Sequence, residues 1–168
     1  MTELDQVWSE MLGDAYRNAS AAGRNAVADY LRLKATNDAI RAAGVKWLFD
    51  TFIEFAGEAV RNNAALTIER EEPHSFRHGN SNMVGSLISV RHGVRCLTVE
   101  AGWTRTPGDG VMRGGALAFA RVTHFGMPRA GEELRLVHAE VLPRWMAEAG
   151  QPVTSGELRG HFNRFLYG

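Results

Sequence analysis

Residues 85–103, Gly-Ser-Leu-Ile-Ser-Val-Arg-His-Gly-Val-Arg-Cys-Leu-Thr-Val-Glu-Ala-Gly-Trp, decide the fold. On either side of His92-Gly93, apolar and polar residues alternate with a period of two, the pattern of a strand with one dry and one wet face. Glycine takes positive φ without steric cost and histidine tolerates it, so His92-Gly93 reads as the loop of a two-residue β-hairpin. That loop sets Arg91 against Val94, Val90 against Arg95, Ser89 against Cys96 and Ile88 against Leu97. Opposed residues share a face. Ile88, Val90, Leu97, Val99, Ala101 and Trp103 therefore form the face that meets a core, while Ser89, Arg91, Cys96, Thr98 and Glu100 form the polar one.

Toward the N-terminus the period changes to that of a helix. Leu4, Val7, Trp8, Met11, Leu12, Ala15 and Ala19 predict a helix over 3–19. A second helical stretch passes through Val27, Tyr30, Leu31, Ala35 and Ile40, with Thr36-Asn37-Asp38 as an expected interruption and Gly44 as its end. A third carries the wide stripe Val45, Leu48, Phe49, Phe52, Ile53, Ala56 and Val60. Leu66-Thr67-Ile68 then begins a strand that leads into the polar segment Glu71-Glu72-Pro73-His74.

Beyond the hairpin, a loop over 104–114 leads to a strand over 115–125 that is apolar on both faces. Such a strand is central in its sheet, or is covered by a second subunit. Residues 134–141 read as a last strand, Pro143 opens a short helix closed by Gly150, and Thr154-Ser155-Gly156-Glu157 resembles a capping box before a final helix. The expected fold is α+β, in one domain over 1–168. N-terminal helices (1–62) pack on a mainly antiparallel sheet of about four to five strands (66–141), with a short C-terminal helical tail (143–167).

The charges sum to zero over the chain, which argues against a partner recognised by bulk charge. They are nevertheless segregated: residues 73–130 carry seven Arg against Glu100 and Asp109, and four of the six His. A lone cysteine, Cys96, permits no internal disulfide and fits a reducing cytoplasm. The acidic, amphipathic start MTELDQVWSE resembles no signal peptide, and no apolar run is long enough to span a bilayer.

The Arg-rich polar face suggests a site for a small anionic ligand or an acidic protein partner, with Arg91, Arg105, Arg113, Arg121 and Thr98 as binding residues, since guanidinium forks suit carboxylate and phosphate. Glu100 and His124 are the candidate catalytic groups: Glu100 as general base on the polar face, His124 at a strand end where His138 could meet it. The glycines of 108–115 lack the Lys-Ser/Thr and helix of a phosphate loop, which makes Asp109 a turn residue. His74 and His78 stand four apart, but Pro73 and Gly79 break any helix that would align them, so no metal site is expected. Cys96 reads as an inert strand thiol. Nucleic-acid binding is disfavoured, because the recognition motifs are absent and the aromatics are needed in the core. The expectation is a non-enzymatic binding or regulatory domain without a cofactor, forming a homodimer. A small enzyme built on Glu100 and a neighbouring His is the alternative.

Overall fold

A computed structural model of the chain describes residues 3–21 and 23–168. Helix α1 (Glu3–Ala21) buries Leu12 and Ala19. Gly23, at φ 72°, lets the chain reverse into α2 (Asn25–Arg61). At 1.5 Å per residue, the 37 residues of α2 make a rod of about 55 Å. Neither expected break interrupts it. The polar groups of Thr36 and Asp38 are engaged within a helical frame: the Thr36 hydroxyl donates to Arg32 O, and the Asp38 carboxylate accepts from Trp8 Nε1 and Arg41 Nη1.

Gly44 serves contact and not termination. A Cβ there would lie 2.6 Å from Leu136 Cδ2, and its carbonyl accepts the Trp145 indole N–H at 3.0 Å. The helix tolerates a glycine, at about 1 kcal/mol relative to alanine, because a strand side chain presses on it there.

Among the described residues six strands form one antiparallel sheet: β1 (Thr67–His78), β2 (Ser81–His92), β3 (Arg95–Trp103), β4 (Ala118–His124), β5 (Glu132–Val137) and β6 (Arg144–Ala147), neighbours in that order. The strand number exceeds the sequence expectation because Pro143 opens no helix. Trp145 and Ala147 are buried while Arg144 is exposed and Met146 half-buried, a twofold alternation that pairs with β5. The backbone of 151–153 then returns along β6, with Ala147 N–H donating to Gln151 O and Val153 N–H to Trp145 O. At the opposite edge, β1 runs straight through Glu71–His74, absorbing Pro73 in a bulge between Glu71 and His74.

The central hairpin also differs from expectation in register. Its loop is Gly93-Val94, and the pairs are Arg91 with Cys96, Val90 with Leu97 and Ile88 with Val99. Gly93, at φ 60°, stands at the first loop position, where a type II′ hairpin places glycine. The partner strand is displaced by two residues, an even slip that leaves both faces unchanged. Ile88, Val90, Leu97, Val99, Ala101 and Trp103 are all buried, as read from the sequence.

The C-terminal half of α2 covers that face with Leu48, Phe49, Phe52 and Phe55, approaching closely over Ala101, Ala118 and Ala120. Helix α3 (Ser155–Tyr167) adds Leu158, Phe162 and Phe165, its start closed by the expected Thr154–Glu157 capping box. On the opposite face Phe76, Met83, Ala116 and Phe119 form a second apolar cluster with Met112 from the 104–117 loop. The second apolar face of β4 is thus covered within the chain.

The sheet is sharply bent. The His78 ring on β1 stacks on Phe119 of β4 with centroids 3.7 Å apart, although two strands lie between them. In a flat sheet, three strand spacings would separate β1 from β4 by about 14 Å. At the pair Gly85–Gly102 neither strand carries a side chain, which makes it the position along β2 and β3 where steric resistance to folding the sheet is lowest.

Candidate functional site

Glu100 lies at the centre of the bent face. Its Oε2 is 2.8 Å from His74 Nε2, and its Oε1 accepts from Arg121 Nη1 at 2.8 Å. Arg121 is engaged on every side: Nε and Nη2 donate to Glu133 Oε1 at 3.3 and 3.1 Å, and Nη2 also donates to Arg77 O at 3.1 Å. His74 Nδ1 faces Glu71 at 3.3 Å. This lattice ties β1 to β4 and β5 across the fold of the sheet, and it leaves Arg121 without a free fork for a ligand.

The other expected binding residues are not brought together. Thr98 lies between Ser89 and Thr123 on the same face, while Arg91, paired with Cys96 farther along, is exposed. Arg113 is exposed in the 104–117 loop. Arg105 lies against the opposite side of the sheet, stacked 3.7 Å over the Trp103 ring, donating to Val84 O and Asp5 Oδ1. Asp109 is a turn residue as read: Asn82 Nδ2 and the backbone and hydroxyl of Thr106 donate to it, holding its carboxyl below the usual range. Cys96 is a free, half-buried thiol, and no cluster of three or more metal-ligating side chains occurs among the described residues.

His124 does not meet His138. It is buried on the core face, where its Nε2 lies 3.1 Å from His161 Nδ1, and His161 Nε2 lies 2.7 Å from Glu132 Oε2. The carboxylate sets the proton order of this chain. It can only accept, so His161 donates through Nε2; with both rings neutral, His161 Nδ1 then accepts from His124 Nε2. His124 Nδ1 is left buried without a hydrogen-bond partner. Burial, with smaller contributions from His161 and Arg164, pushes the His124 pKa down from 6.5 to about 4. The ring is therefore neutral at pH 7.

Among the described residues the cavities above about 300 Å³ include one of about 500 Å³ lined by Glu3, Leu4, Val7, Glu72 and Pro73, whose charged groups are all acids, and two that reach buried core residues. One of those two, of about 320 Å³, lies among α1, α2 and β1–β3 over Val45, Phe49 and Trp103. Each of its cations faces an acid: Lys46 with Asp50, Arg70 with Glu72 and Arg105 with Asp5. It therefore presents no net charge to an anion.

The other cavity is about 760 Å³, within the 300–1,000 Å³ range of small-molecule sites. Its walls are Ile40, Ala43, Gly44 and Trp47 of α2, Leu136, Arg144 and Trp145 of the sheet, the turn Val141-Leu142-Pro143, and Pro152, Val153 and Thr154. Val141 and Leu142 are large apolar side chains left exposed beside it. The sequence reading missed this site because it took Pro143 for the start of a helix. The available signal was Val141-Leu142-Pro143, an apolar pair whose chain cannot continue as a regular strand through proline.

No family description matches this chain, and neither a curated protein nor a solved structure matches it.

Proposed function

We propose that the chain is a small-molecule binding domain whose ligand occupies the cavity between α2 and β5–β6. The observation that carries this reading is an open space of about 760 Å³ with nearly all-apolar walls, the composition expected where apolar surface supplies affinity and a few polar groups supply orientation. The bent sheet face suits a ligand less well, since Arg121 and Glu100 saturate each other and their neighbours. The enzyme alternative rests on Glu100 beside His74, but both oxygens of Glu100 are engaged and no cavity described above is lined by it.

An anilinonaphthalene sulfonate titration tests the reading. The dye is expected to bind the wild-type protein with a blue-shifted emission and to quench tryptophan fluorescence, since Trp47 and Trp145 line the space. Ala43→Phe, on an exposed wall position, should weaken that binding at least about tenfold by filling the cavity while leaving the urea midpoint within about 0.5 kcal/mol. Equal binding by both proteins would overturn the assignment.

We also infer a homodimer. Leu4, Val7 and Met11 of α1 and Val27 and Tyr30 of α2 are exposed, and helical periodicity puts the first three on one side of α1 and the other two on one side of α2. Light scattering should give twice the chain mass at micromolar concentration; a monomer mass would end this reading. No helix among the described residues is long and apolar enough to cross a membrane. The single free thiol supports a reducing cytoplasm as the compartment.

A further inference from the structure

We infer that the ligand of this cavity is an anionic amphiphile, its acid head held by Arg144 of the wall and its apolar body lying between Trp47 and Trp145. The inference rests on the assignment of the cavity as the ligand site, and the polar groups on its walls carry it. The Trp145 indole N–H is occupied by Gly44 O. The Thr154 hydroxyl is engaged in the helix cap, donating to Glu157 and accepting from the backbone at that same position. Arg144 is the one charged side chain on the wall, and it makes no ion pair or hydrogen bond among the described residues. The Trp47 carbonyl accepts from the Thr51 hydroxyl, but its indole N–H has no hydrogen bond among the described residues and adds a second unengaged donor.

Every unengaged polar side chain on the wall is thus a donor, and none is an acid. A donor that a ligand covers without matching loses the free energy of its water contacts, so the favoured occupant carries acceptors, and a guanidinium favours a charged one. The rest of the wall offers only apolar contact, which matches a hydrocarbon or ring body.

Three probes with the same ten-carbon chain separate head-group recognition from simple partitioning: decanoate, 1-decanol and decyltrimethylammonium, each titrated below its micelle concentration with tryptophan fluorescence as the readout. Wild-type protein is expected to bind decanoate at least about fivefold more tightly than decanol, the size of a partly exposed charge-assisted pair, and decyltrimethylammonium most weakly. Arg144→Gln should reduce decanoate affinity to that of decanol, Arg144→Lys should restore part of the difference, and Arg144→Glu should invert the order toward the cation. Arg144 is exposed on a short edge strand, and unchanged decanol binding by each variant reports that the cavity is intact.

Equal affinity of wild-type protein for decanoate and decanol, or decanoate binding unaltered by Arg144→Gln, overturns the acid-head inference and leaves the cavity assignment standing. Failure of all three probes to bind the wild-type protein overturns both.

Discussion

The Gly85→Ala protein is expected to lose at least about 3 kcal/mol of folding stability, seen as a large drop in the urea midpoint. The added Cβ would lie 1.9 Å from Ala101 O and 2.6 Å from Gly102 Cα. Both obstacles are backbone on the paired strand, so no side chain can rotate out of the way, and relief requires β2 and β3 to part at that pair. Overpacking of an ordinary core costs 1–3 kcal/mol; a backbone collision at this pair exceeds that range, because it also separates His78 from Phe119 and Glu100 from His74. Gly160→Ala is the control. It lies in α3 with nothing within 4 Å of the added Cβ, and there alanine should be neutral or stabilising by up to about 1 kcal/mol. Similar midpoints for the two variants would remove the claim that the glycine pair permits the bend.

Acidification from pH 6.5 to pH 4 should cost up to about 3 kcal/mol of stability through His124 alone. The sign follows from where the proton binds. In the unfolded chain the ring titrates at its ordinary 6.5, and in the folded protein at about 4. Between those values the unfolded state holds the extra proton, so unfolding gains as pH falls, by about 1.4 kcal/mol for each unit that separates the two. Above pH 6.5 both states are neutral and the effect vanishes. His124→Leu keeps an apolar group in the site and removes the titration. Its stability should therefore be nearly flat from pH 7 to pH 5, where the wild-type curve falls. Parallel curves for the two proteins would show that the acid response lies elsewhere. The carboxyls held low by hydrogen bonds, Glu58, Asp109 and Glu157, act in a separate window: their contribution is lost only as pH falls through and below the carboxylate range.

The parts of the fold that depend on periodicity could be read from the chain. Face assignment in the central hairpin survived a wrong loop, since a displacement of two residues exchanges partners without exchanging sides, whereas a displacement of one would have put Ile88 and Val99 on opposite faces. The stripe of Leu48, Phe49 and Phe52 and the Thr154–Glu157 cap were equally local. The misread places depended on contacts distant in sequence. Gly44 terminates a helix on local grounds, but Leu136 and Trp145, about a hundred residues later, give that glycine its place in α2. Arg144–Ala147 is too short to establish its own period, and only pairing with β5 makes it a strand.

The candidate site was less legible. Counting Arg on one face identified charge but not its engagement: Glu133, which neutralises Arg121, comes from the next strand over and lies outside the basic segment. The apolar cavity, by contrast, exists only between elements and has no motif of its own.

Both margins of the sheet bear on how the molecule behaves at high concentration. An open strand edge is a template for another chain, and long flat apolar edges seed fibres. Here the β1 margin carries four consecutive charged residues, Glu69 to Glu72, and then the irregularity at Pro73, while the β6 margin is already occupied by the protein's own 151–153 backbone. Neither border accepts a foreign strand in register. Growth by sheet extension is thus disfavoured at both borders of this sheet.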